Sequence, residues 1–191
     1  LDNWVEFQAP RGEKGEAGEK NQSRLIMLGT PNYGLYTTIQ AITGHLELLQ
    51  WVDLVDTHHD RTDFREIVRS FPSLYQLLPT PSPSSKERDK LMALYQADTY
   101  PAELKVSQHH LDGAAGFHSL LSDADVDPER MIFIGGHNQP TYVNFAPEKL
   151  SGFDPQGLHT DEKDKAYLHQ AYTPGRNGDG TVPHQLAVLQ N

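Results

Sequence analysis

Residues Gly175-Arg-Asn-Gly-Asp-Gly-Thr-Val-Pro183 set one carboxylate, Asp179, between two glycines. Glycine allows tight turns and positive φ, so this pattern holds a carboxylate at a loop tip with little freedom to wander. A carboxylate fixed in that way can orient a histidine. It selects the imidazole tautomer and stabilises the imidazolium, which is the part of the third member in a Ser-His-Asp relay. The same dipeptides also make ordinary turns, and that reading stands beside the catalytic one.

Other chemistry-bearing residues are weaker candidates. His58-His59-Asp60 with Asp63, and His109-His110, read as surface polar residues, because adjacent histidines on a helix do not face one another. His137 follows an apolar run and a glycine pair, where strand ends line the site of an open α/β sheet, and it is a candidate binding residue. Ser119 and the serines of 82–85 lack the sharp turn that exposes a nucleophile. Asp123, Asp125 and Asp127 alternate as in a calcium loop, but the glycine and later glutamate of such a loop are missing. They read as a solvated turn before a strand.

The elements that must position these residues follow from the apolar pattern. Leu25-Ile-Met-Leu28 and Met131-Ile-Phe-Ile134 are short apolar runs bounded by turn residues, and they predict two fully buried strands of a parallel sheet. Residues 35–56 carry helical spacing, with Ile39, Ile42, Leu46, Leu49 and Val52 on one face. Phe64 to Leu78 reads as mixed helix and turn. A helix is expected from near Lys86 to about Gln96, capped by Ser84 or Ser85. Residues 101–122 give a further helical patch with an Ala-Ala-Gly interruption, and 144–173 read as polar and irregular. Arg11 to Glu19 has collagen-like glycine spacing without proline, so a flexible charged loop is expected there. The fold class is therefore α/β, and the interval between the two strands exceeds an ordinary crossover. It predicts a helical cap over residues 35–122, inserted above the strand ends.

Composition narrows the function classes. The chain has 191 residues, enough for one domain and a real core. Its net charge of −10, from 26 acidic and 16 basic residues, repels phosphate backbones and argues against nucleic acid as a partner. Cysteine is absent, which excludes disulfides, thiolate metal sites and a cysteine nucleophile. No apolar run approaches the roughly 18 residues of a membrane span.

Four segments resemble one family in the right order. Leu25-Ile-Met-Leu-Gly-Thr-Pro-Asn-Tyr-Gly34 is similar to a strand and turn of lipases, and Ser73-Leu-Tyr-Gln-Leu-Leu-Pro79 resembles a cap segment of lecithin:cholesterol acyltransferase-like proteins. Ile132-Phe-Ile-Gly-Gly-His-Asn-Gln-Pro-Thr141 resembles their next core strand, and Gly178-Asp-Gly-Thr-Val-Pro183 their acid loop. Over roughly residues 24–190 the chain thus resembles the lecithin:cholesterol acyltransferase-like or lipase branch of the α/β-hydrolase superfamily.

The resemblance implies a partial α/β-hydrolase fold, a lipid or other ester as substrate, no cofactor or metal, and Asp179 as the triad acid. Thr181-Val182-Pro183 would open the helix after the acid loop, and Gly29-Thr30-Pro31 would shape the crevice. No Gly-x-Ser-x-Gly elbow occurs in the chain. By the family's order that elbow is expected before Leu1, and the catalytic histidine beyond Asn191, since His184 is close to Asp179 in sequence. Residues 1–191 would then be the C-terminal part of the hydrolase domain, inactive without an N-terminal remainder. A non-catalytic binding or scaffolding domain that keeps the framework is the alternative.

Overall fold

The two apolar runs do meet. In the computed structural model, which describes residues 24–45, 61–80, 87–152 and 167–189, β1 (Leu25–Leu28) and β2 (Met131–Ile134) pair in parallel, Leu25 opposite Met131 and Leu28 opposite Ile134. The architecture is mixed helix and strand with a small parallel sheet. A second pair, β3 (Thr141–Phe145) and β4 (Tyr172–Gly175), is antiparallel. It overlaps the two ends of the stretch 144–173 expected to be irregular. Val143 is the extra residue of a bulge facing Pro174, which has no N–H to give to a ladder.

The parallel strands are not buried on both faces. Ile26 (54 % exposed), Leu28 (69 %), Ile132 (41 %) and Ile134 (53 %) all stand on one side of the sheet. The alternation of side chains along a strand puts these four together. Apolar runs signal strands, but they carry no information about which face is covered.

Helices occupy the interval between β1 and β2. The first, α1 (Thr37–Thr43), buries Ile39 and Ile42 and stops at Gly44, whose φ of 81° ends it in the left-handed conformation. The stripe expected to continue through Leu46, Leu49 and Val52 lies outside the described residues, as do 1–23, His58-His59-Asp60 and the serines of 82–85. Next come α2 (Arg61–Arg69) and α3 (Pro72–Gln76), the latter with proline in its first turn. The helix expected from Lys86 to Gln96 is shorter: α4 (Arg88–Met92) passes into 3₁₀ turns at Ala93–Tyr95 and Ala97–Thr99. The long helix α5 (Gln108–Ser122) starts at Ser107, whose hydroxyl accepts from the His110 N–H at 3.4 Å. It runs unbroken through Ala114-Ala115-Gly116, so the predicted interruption does not occur. Alanine suits a helix, and the burial of Leu111, Ala114 and His118 along one stripe holds the glycine in place. A last short helix, α6 (His184–Ala187), follows the Asp179 loop. Among the described residues no helix is long and apolar enough to cross a membrane.

The core lies among the helices and β3–β4, away from the parallel pair. It joins Tyr33, Tyr36, Ile39 and Ile42 to Tyr75, Leu78, Leu94, Leu111, Phe145 and Leu186. Each aliphatic side chain so buried contributes on the order of 1.5–3 kcal/mol. The core is rich in tyrosine, and most of its hydroxyls have partners. Tyr75 donates to the Arg69 carbonyl, Tyr100 to the Leu94 carbonyl, and Tyr95 bonds to Thr80 and to the Leu78 carbonyl.

One seam fixes how β1 enters this core. Gly34 has a φ of 86°, and a Cβ there would lie 2.6 Å from the Leu77 carbonyl oxygen and closer still to that of Leu78. On either side, Leu35 N–H donates to the Leu77 carbonyl and Thr80 N–H to the Tyr33 carbonyl, both at 2.8 Å. A left-handed alanine costs roughly 1–3 kcal/mol before any clash. Gly34→Ala is therefore expected to lower the unfolding free energy by more than about 2 kcal/mol. Urea denaturation would read this as a lower midpoint at unchanged slope.

Candidate functional site

Asp179 lies at the C-terminal ends of the two parallel strands. Gly29, directly after β1, and Gly136, just past β2, both border it. A Cβ on Gly29 would sit 3.3 Å from Asp179 Oδ2, and one on Gly136 would come within 2.8 Å of the Asp179 Cβ. Two backbones without side chains thus make room for one carboxylate. The expected freedom of the flanking glycines holds for Gly180, with a φ of 104°. Gly178 serves differently: a Cβ there would collide with Thr141 and with the Val182 carbonyl.

The carboxylate is held by one oxygen. Oδ1 accepts from the Thr181 N–H at 2.9 Å and the Val182 N–H at 2.7 Å. Oδ2, turned towards Gly29, accepts no hydrogen bond and joins no ion pair among the described residues. One oxygen anchored by backbone donors and a second left open is the geometry a carboxylate needs to receive an imidazole N–H.

Thr141 fastens the loop from behind. Its buried hydroxyl donates to the Gln139 carbonyl and accepts from the Gly180 N–H, both at 2.9 Å. Gln139 N–H in turn donates to the Gly178 carbonyl at 3.1 Å, and Asn138 N–H to that of Arg176. Asn138 itself takes a φ of 62°, a conformation asparagine tolerates. The far side of the loop is tied to α6 and to the turn after β1. His184 N–H donates to the Asn177 carbonyl, Tyr33 N–H to that of Leu186, and Asn32 Nδ2 to that of Ala187 at 2.5 Å. Gln185 Nε2 bridges the Val143 carbonyl and the Tyr36 hydroxyl. Burial pushes the Tyr36 phenol up to about 12, against the Gln185 bond, so it stays neutral at physiological pH.

Two histidines border the same strand ends. His137 is exposed, as its place after β2 suggested, and its ring centroid is 5.0 Å from that of His184. His184 Nε2 is 2.8 Å from the Gly136 carbonyl, to which it donates. Neither histidine bonds or pairs with Asp179. The pairing of His184 with Gly136 had no signal in the sequence, because 48 positions separate the two residues.

The remaining candidates are dispersed. Ser119 is exposed on α5. His109 is exposed, whereas His110 is only half so, with its ring 5.1 Å from that of Tyr75, which corrects its reading as a plain surface residue. Asp127 does form the turn expected before β2. Its carboxylate accepts from the Glu129 and Arg130 N–H groups and from Arg130 Nε at 2.6 Å. The Arg130 bond holds this carboxyl below its ordinary range. Among the described residues no group of three histidine or carboxylate side chains is arranged to hold a metal ion.

If Thr141 sets the loop, removing only its hydroxyl should free the loop while keeping the volume nearly constant. Thr141→Val leaves the Gly180 N–H and the Gln139 carbonyl without this partner and is expected to cost about 1–3 kcal/mol. Amide exchange at Gly180 and Asp179 should quicken by more than that at α5. Equal loss of protection throughout would show that Thr141 supports the core and not the loop.

No family model, no curated protein and no solved structure matches the chain.

Proposed function

We propose that this chain is part of a serine hydrolase or acyltransferase of the α/β-hydrolase type, acting on a lipid or other ester, with Asp179 as the triad acid. The observation that carries the reading is the state of that carboxylate: anchored through Oδ1, open at Oδ2, and placed beyond the ends of two parallel strands. In open α/β sheets that crevice is where ligands bind. A serine and a histidine supplied from outside the described residues would complete the relay. The serine attacks the acyl carbonyl, the histidine takes its proton and returns it to the leaving alcohol, and Asp179 orients the ring. Residues 35–122 would cover the acyl site as a cap. The exposed face of Ile26, Leu28, Ile132 and Ile134 suits a sheet whose covering layer would come from the rest of such a domain, because parallel sheets are ordinarily covered on both sides.

A second reading has its own support. Asp179 has no histidine partner among the described residues, although His137 and His184 stand nearby. A binding or scaffolding domain that keeps the framework without the chemistry would have this arrangement too.

Asp179→Asn in the intact protein separates the two. The asparagine oxygen can still accept the Thr181 and Val182 N–H groups, so the loop is expected to persist and the melting temperature to change little. Under the catalytic reading kcat for a short-chain ester falls by roughly 10²–10⁴-fold. Full activity in this variant removes Asp179 from the relay. An intact wild-type protein that binds ester or lipid vesicles without turnover supports the binding domain.

A further inference from the structure

Helix α5 docks through Leu111, Ala114 and His118, and one member of that stripe is titratable. His118 is 2 % exposed. Tyr95 stands edge-on to its ring at 6.2 Å between centroids, and Phe117 at 5.5 Å. Neither ring nitrogen has a hydrogen-bond partner among the described residues. The Gln76 and Leu78 carbonyls face the ring from the end of α3 without reaching bonding geometry.

Among the described residues, no carboxylate acts on the His118 ring to balance a charge. The elements packed on α5 are α3 and the Ala93–Tyr95 turn, and their titratable groups are Tyr75 and Tyr95. Both phenols are pushed up by burial and stay neutral. The guanidinium that acts on Tyr75 belongs to Arg69, a further positive charge. On α5 itself, His110 packs on Tyr75 of α3 at 5.1 Å between ring centroids, about two turns from His118, with its Nδ1 buried and without a hydrogen bond among the described residues; His109 and Asp112 are exposed, and Asp112 is bonded to Gln108 at 2.7 Å.

We infer that His118 is an acid-sensitive latch, whose protonation releases α5 from α3 and from the Ala93–Tyr95 turn. A protonated ring would carry a full charge and two N–H donors into a wall of aromatic and apolar groups. Burial favours the neutral ring and holds its pKa below the ordinary value of 6.5; the Gln76 and Leu78 carbonyls oppose this and are outweighed. The released ring binds a proton as pH falls through about 6.5, and the docked ring resists until lower pH. Docking is therefore strongest above that value and weakens below it. The loosened wall includes Leu78, whose carbonyl also faces Gly34, so the effect reaches the turn that follows β1.

Hydrogen exchange of the intact protein between pH 7.5 and 5.0, corrected for intrinsic rates, tests the latch. Opening of the Leu111–Ser122 amides should rise by up to about tenfold per pH unit below 6.5, ahead of the β3–β4 amides. His118→Leu should abolish that rise. Unchanged α5 protection in the wild type, an equal rise throughout the chain, or the same rise in the leucine variant would each overturn the inference. Should the variant not fold, the wild-type imidazole titration followed by NMR decides: a midpoint below 6.5 supports the latch, and one at or above 6.5 overturns it.

Discussion

The contact between Gly34 and the carbonyls of Leu77 and Leu78 is the constraint on which the rest of the structure rests. It brings the turn after β1 onto the end of α3, and no side chain fits between the two backbones. The same carbonyls then serve several neighbours. That of Leu77 accepts from the Leu35 N–H and the Thr38 hydroxyl, and that of Leu78 from the Tyr95 hydroxyl. Carbonyls at a helix end lack intrahelical donors, so a short helix such as α3 offers several acceptors in one place. The tyrosines that crowd this region can be buried because their hydroxyls find those acceptors. Exceptions are the Tyr172 hydroxyl, both nitrogens of the His118 ring and His110 Nδ1, buried without hydrogen bonds among the described residues.

From that seam the chain reaches the Asp179 loop by two routes. One runs through Tyr33 and Asn32 to the carbonyls of α6, the other through β3, where Thr141 grips the loop backbone. The carboxylate is thus positioned by residues from three separate stretches of the chain, 29–33, 136–141 and 176–187. The parallel strands beneath the loop contribute position more than stability, since the main core is built without them. Their open face and the helical core are separate features of one chain.

Much of the frame was legible in the sequence because it is local. Two apolar runs of four residues, each closed by glycine, marked β1 and β2, and the glycines around Asp179 marked a tight carboxylate loop. Gly44 closes α1 by a mechanism that belongs to glycine itself, although the apolar spacing reads as running on through it. The β3–β4 pair was not legible. Its strands are short, one contains Pro174, and a bulge breaks the alternation that reveals a strand. The apparent break at Ala114-Ala115-Gly116 misled for the converse reason, since a glycine in mid-helix is tolerated once packing supplies what propensity lacks.

The sequence by itself determined which residues could do chemistry: a lone carboxylate in a glycine-rich loop, no thiol, and a net charge of −10. Spacing along a chain fixes φ preferences and periodicity, and those are properties of neighbours. Only the tertiary structure decided that Asp179 stands at the ends of β1 and β2, that Thr141 secures it, and that His184 turns to Gly136. It also decided that His118 lies inside and His137 outside. These are pairings between residues far apart in sequence, set by which surfaces exclude water together, and no local pattern encodes them.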